Sequence, residues 1–280
     1  MQIVTKVAEM QDVCRKLRLN GRMLGFVPTM GALHAGHISL VRRARAECDV
    51  ISASIFVNPL QFAPGEDLAR YPRTFEEDCR LLEAENVDVL FAPDAAEMYP
   101  QGAVTTVSVA GVGDRLDGAS RPGHFTGVAT VVAKLFHVVS PQRAYFGQKD
   151  AAQLAVLRQM VRDLNFHVEL VGCAIVRDPD GLALSSRNKY LSSMERARAL
   201  TLHRALRQIE HMIASGERRT AQLIAGGMEI LKTADEVRVD YLSIVNANTL
   251  LPVTSAEAGT LVAVAAYIGT TRLIDNLLVA

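Results

Sequence analysis

Over its first two thirds the chain alternates short apolar runs with segments of helical periodicity, which argues for βαβ units and a parallel sheet. Strands are expected over 23–27, 50–58, 87–92, 143–146 and 168–176, helices over 38–47, 75–85 and 151–164, and a short extra strand over 105–109. Segment 127–139 is apolar all round, and its length favours a helix over a strand. After Arg177-Asp178-Pro179-Asp180-Gly181 the pattern changes. Ser192-Ser193-Met194-Glu195 makes a capping box for a long helix reaching about residue 214. A helix over 221–232 and strands over 237–245 and 261–268 follow. The expectation is an α/β fold: a parallel-sheet domain over 1–176 and a smaller α+β domain over 177–280.

The length of 280 residues suffices for one large domain or two modest ones. Lysine and arginine number 30, as do aspartate and glutamate, so no global basic field exists to attract nucleic acid. Cys14, Cys48, Cys79 and Cys173 follow no framework spacing and read as reduced, packed thiols of a cytoplasmic protein. Met1-Gln2-Ile3-Val4-Thr5-Lys6 lacks the order of a signal peptide, and no apolar run approaches the roughly 20 residues of a membrane span.

The motif richest in chemistry is Pro28-Thr29-Met30-Gly31-Ala32-Leu33-His34-Ala35-Gly36-His37, where an expected strand turns into a helix. Backbone N–H groups and the helix dipole favour an anion there. Gly31 and Gly36 permit close approach, and the two imidazoles lie about one helical turn apart. A nucleotide-phosphate cradle fits this pattern. A metal-holding histidine pair or a plain capped helix start also fits. No H-E-x-x-H, paired C-x-x-C, Walker A or G-x-G-x-x-G pattern is present.

Further candidates stand at other strand ends. Asn58 and Gln61, in Phe56-Val57-Asn58-Pro59-Leu60-Gln61-Phe62, are neutral amides suited to a hydroxyl or carboxylate; an ordinary proline turn is the alternative. In Phe146-Gly147-Gln148-Lys149-Asp150, Lys149 can reach a phosphate, while Asp150 could equally be an N-cap. Gln153 lies in the first turn of the helix that follows. Leu184-Ser185-Ser186-Arg187-Asn188 offers two hydroxyls and a guanidinium for an oxyanion on an interdomain segment, or else a surface turn. Arg121-Pro122-Gly123-His124-Phe125 lines a pocket or serves structure alone.

In this order the motifs resemble the pantoate–β-alanine ligase family over nearly the whole chain. The resemblance implies a Rossmann-like nucleotidyltransferase-type domain, a C-terminal covering domain, a homodimer, and ATP-dependent joining of (R)-pantoate to β-alanine through a pantoyl adenylate. It also implies Mg²⁺ on the phosphates. By match to the family motif, Met30, Gly31, Ala32, Leu33, His34, Ala35, Gly36 and His37 bind ATP, with His37 given an acid role. Gly147, Gln148, Lys149, Asp150, Val176, Leu184, Ser185, Ser186 and Arg187 complete the ATP site. Gln61 meets pantoate and later β-alanine, and Gln153 holds pantoate. Attack of a carboxylate on the α-phosphate builds negative charge, for which His34, His37, Lys149, Ser185, Ser186 and Arg187 supply donors.

Overall fold

A computed structural model describes residues 1–280, the side chain of Asn20 excepted. The chain opens with β1 (Gln2–Val4), α1 (Val7–Leu17), β2 (Leu24–Thr29), α2 (Ala35–Glu47), β3 (Val50–Ile55), α3 (Phe75–Ala84) and β4 (Val89–Phe91). The short helices α4 (Ala95–Met98) and α5 (Asp117–Ser120) precede α6 (His124–Val139), β5 (Arg143–Gly147), α7 (Ala151–Asp163) and β6 (Glu169–Cys173). Then come α8 (Ser193–Ala214), α9 (Thr220–Leu231), β7 (Val237–Asn246), β8 (Thr260–Ile268) and β9 (Thr271–Leu278).

The first six strands form one parallel sheet in the order β1-β4-β3-β2-β5-β6. β2 pairs with β3 from Leu24↔Val50 to Thr29↔Ile55, and with β5 at Gly25↔Arg143 and Phe26↔Ala144. Strand order therefore reverses beside β2, and ligands gather at the carboxyl ends of the strands at such a switch point. Both faces are covered, which is why these strands read as continuous apolar runs. Leu24, Phe26, Val50, Ala144 and Phe146 pack with α1, α6 and α7, while Val27, Ile51, Ala53 and Tyr145 pack with α2 and α3.

The last three strands form an antiparallel sheet in the order β7-β8-β9. One face packs Leu242, Val262 and Val264 against Leu202, Leu206 and Ile209 of α8 and Leu223 of α9. On the other face, Val245, Leu261 and Ala263 join the core that contains α6 and α7. Ser192 and Glu195 form the capping box that starts α8.

One expected strand is absent, and β1, α1 and β9 lie outside the expected elements. Residues 105–109 form no strand: the Val107 N–H donates to Thr130 Oγ1 at 2.9 Å, and no strand of this chain pairs with the segment. β9 follows a pattern that apolar periodicity does not show, because Arg272, Asp275 and Asn276 interrupt it. Each is held by a specific partner: Arg272 by Asp117 and Asp240, Asp275 by Arg177, and Asn276 by main-chain carbonyls of 148 and 149.

Candidate active site

The histidine turn spends its own N–H groups internally. Thr29 Oγ1 accepts from the Gly31 N–H at 3.1 Å, and Gly31 turns at φ +81°, where glycine is favoured. The N–H groups of Ala32 and Leu33 donate to the two oxygens of Asp78, at 2.9 and 2.8 Å. Asp78 reaches in from α3, is buried, and also accepts from Thr74 Oγ1. His34 caps α2 through Nδ1, which accepts the Gly36 N–H at 3.1 Å, and His37 Nδ1 accepts the His34 N–H at 3.3 Å.

A cavity opens beside this turn, and Met30, His34, Gly36 and His37 line it. Gly31, Ala32 and Leu33 are buried behind its wall and Ala35 lies outside it, so the expected main-chain cradle gives way to a pair of imidazoles. Their ring centroids are 4.2 Å apart. Since each Nδ1 accepts, the proton of each neutral ring sits on Nε2, leaving that N–H as the free donor. Both rings are neutral near pH 7. Burial and the charge of Lys149 push His34 down to about 4; burial, His34 and Lys149 push His37 down to about 3. Each ring is therefore a neutral hydrogen-bond donor through Nε2, and a nearby anion favours the charged form and raises both pKa values.

Asn58 and Gln61 lie at the end of β3, on the 3-10 turn Pro59–Gln61. Asn58 is fully engaged. Its Oδ1 accepts from Leu60 N–H and the Tyr99 hydroxyl, and its Nδ2 donates to Gln61 Oε1 and the Gly127 carbonyl, each at 3.1 Å. Asn58 lines the cavity and holds the amide of Gln61, whose Nε2 stands 2.9 Å from Met30 Sδ on the same wall. Val128, Val131 and Val132 of α6 supply an apolar wall nearby.

At the end of β5, Gly147, Lys149, Asp150 and Gln153 face the cavity, and Gln148 does not. Asn276 Nδ2 donates to the carbonyls of Gln148 and Lys149, both at 2.9 Å, fixing that turn from β9. Among the described residues no carboxylate pairs with Lys149. On the far side, Asp178 N–H donates to the Leu182 carbonyl and Leu184 N–H to that of Val176, closing a hairpin that sets Val176 and Leu184 side by side on the wall. Beyond it, Ser185 Oγ accepts from the Arg187 N–H, and Ser186 Oγ lies 3.3 Å from the Tyr71 hydroxyl. Arg187 grips Asp67 with two bonds of 2.9 Å. The expected oxyanion set thus lines the cavity with its guanidinium already paired, leaving Lys149 the one unpaired cation of the wall among the described residues. Asp67, Tyr71 and Asp78 escaped sequence reasoning because the groups they hold, Arg187, Ser186 and the N–H groups of Ala32 and Leu33, are distant in sequence. No group of three or more possible metal ligands occurs among the described residues.

An open parallel sheet with a cleft at its strand ends, two neutral imidazoles at a helix start and an unpaired lysine opposite define an α/β nucleotide-handling enzyme. The family model described as pantoate-beta-alanine ligase matches residues 2–278, and the chain belongs to that family. A pantothenate synthetase of Koribacter versatilis is 56% identical over 277 residues, covering 99% of this chain and 95% of that protein. The crystal structure of pantothenate synthetase from Thermus thermophilus superposes with a TM-score of 0.94 at 52% identity, covering 99% of each chain. A pantoate-beta-alanine ligase from Francisella tularensis, complexed with beta-gamma ATP and beta-alanine, has a TM-score of 0.82 at 34% identity; 99% of this chain and 97% of that one are covered.

Proposed function

We propose that this cleft joins pantoate to β-alanine at the expense of ATP, in two half-reactions. The carrying observation is the convergence, in one cavity, of two neutral imidazole donors, an unpaired lysine, the amides of Gln61 and Gln153, and the apolar face of α6. A carboxylate is a poor acceptor for an amine. The pantoate carboxylate therefore attacks the α-phosphate, forming a mixed anhydride and expelling pyrophosphate. His34 and His37 donate from Nε2 to phosphate oxygens, and Lys149 offsets the charge that builds up. Met30, Gly36, Gly147, Val176, Leu184, Ser185, Ser186 and Arg187 form the rest of the nucleotide-facing wall. The β-alanine amine then attacks the acyl carbon and AMP leaves; no enzyme nucleophile is needed.

Gln61 and Gln153 recognise pantoate as neutral amides, which do not compete for phosphate, and Gln61 later meets β-alanine. Mg²⁺ supplies charge neutralisation on the phosphates when bound. Asp150, which lines the cavity outside any ion pair, would hold that Mg²⁺. Residues 177–280 serve as a cover that keeps water from the adenylate. A homodimer fits the exposed residues 103–106, where Val104 is 91% exposed. The expected setting is the cytoplasm, and no helix among the described residues is long and apolar enough to cross a membrane.

The test is pantoate-dependent release of pyrophosphate from ATP, repeated with Gln153→Ala. That variant is expected to raise the pantoate requirement about tenfold, the scale of one lost hydrogen bond, while calorimetry finds ATP binding near normal. Pyrophosphate release that ignores pantoate, or equal damage to ATP binding, would refute the reading.

A further inference from the structure

Arg121 and His124 line the same cavity, and both side chains converge on the main-chain carbonyl of Gln61. His124 Nδ1 stands 2.8 Å from it and Arg121 Nη2 3.3 Å. A carbonyl only accepts, so Nδ1 carries the proton. Nε2 is then free to accept from Arg121 Nη1, 3.0 Å away. The ring is neutral and its tautomer is set from both ends; burial and the adjacent Arg121 charge push its pKa down to about 4. Arg121 is itself gripped by Glu66, whose two oxygens accept from Nε and Nη2 at 2.7 Å each.

The turn needs this help. Pro59–Gln61 closes on one long internal bond, Phe62 N–H to the Pro59 carbonyl at 3.4 Å. The opening of α6 clamps it from outside. One helical turn after His124, Gly127 lets the Leu60 carbonyl in so closely that a Cβ there would stand 2.2 Å from its oxygen. The Gly127 carbonyl also anchors Asn58, which holds Gln61 Oε1.

We propose that His124 and Arg121, backed by Glu66, are positioning residues for substrate selection: they fix the main chain of Gln61 so that its amide meets pantoate in one orientation. The inference rests on the reading of Gln61 as a pantoate contact. A loosened turn lets the Gln61 amide drift from its contact, so the loss is felt in the pantoate KM.

The test combines steady-state kinetics in pantoate with ATP calorimetry on His124→Ala, His124→Asn, Gln61→Ala and the His124→Ala/Gln61→Ala double variant. His124→Ala should raise the pantoate KM about tenfold or more and leave the ATP Kd within about twofold. Asparagine presents an amide N–H close to the place of Nδ1, so His124→Asn should recover most of the loss. In the Gln61→Ala background, His124→Ala should add nothing, because the group it positions is gone. The inference is overturned if the two single effects multiply, if ATP affinity falls in step with pantoate, or if asparagine fails to rescue. A Gln61→Ala variant with a normal pantoate KM sinks the reading of Gln61 itself, and this inference with it. A raised KM in Gln61→Ala beside a normal one in His124→Ala sinks the positioning role alone.

Discussion

Gly36 offers the sharpest test of how the histidine turn works. A Cβ built at Gly36 stands 2.8 Å from His34 Cε1 and 2.9 Å from its Nδ1, closer than real contacts allow. Its backbone is ordinary helix, so Gly36→Ala introduces no conformational strain; the conflict is with the imidazole. The ring must rotate away, and the 3.1 Å bond from the Gly36 N–H to Nδ1 breaks. Losing that cap costs about 1 kcal/mol of stability, roughly 2 °C in a chain of this size. Losing a placed donor costs far more in turnover, about 100- to 1,000-fold. Gly36→Ala should therefore match His34→Ala in single-turnover pyrophosphate release, with a melting point lowered by only about 2 °C. The double variant should be no slower than His34→Ala alone. A Gly36→Ala enzyme within a few-fold of wild type would mean that the ring does not act from its capped position.

Lys149→Ala and His37→Ala should each slow adenylation at least about 100-fold, read as single-turnover pyrophosphate release; a few-fold loss would exclude the role. Arg187→Ala should also slow adenylation, and Asp67→Asn, which frees the Arg187 guanidinium from its carboxylate partner, should tighten ATP binding by calorimetry; weaker binding would mean that Asp67 supports the arginine rather than competing for it. Acid should destabilise the fold through His34, His37 and His124. Their folded pKa values lie at about 4, 3 and 4, below the ordinary 6.5, so between those values the unfolded chain binds more protons. Their contribution is complete above about 6.5 and lost as pH falls through about 4 for His34 and His124 and about 3 for His37, and melting curves across that window should shift less in a His124→Asn variant.

The sheet strands buried on both faces, the apolar length of α6 and the Ser192/Glu195 capping box were legible in the sequence because each follows from local periodicity or spacing. The candidate residues were legible for a similar reason: glycines and polar groups cluster where expected strands end. Their roles were not. Spacing places Gly31 to Leu33 beside a helix start, but only the fold brings Asp78 from α3 to take their N–H groups, which turns an expected anion cradle into scaffold. Asn58 stands at a strand end by sequence, but only the fold brings α6 and Tyr99 to its amide. Arg187 reads as a free cation until Asp67, 120 residues away, closes on it. β9 itself was hidden because Arg272, Asp275 and Asn276 break the apolar pattern, and their partners lie in distant parts of the chain. Local sequence sets which groups stand at the strand ends, since that depends on periodicity and turn chemistry within a few residues. Whether a group is spent on the protein or left for a ligand depends on which distant donor or acceptor the packing brings within about 3 Å, and only the tertiary structure decides that.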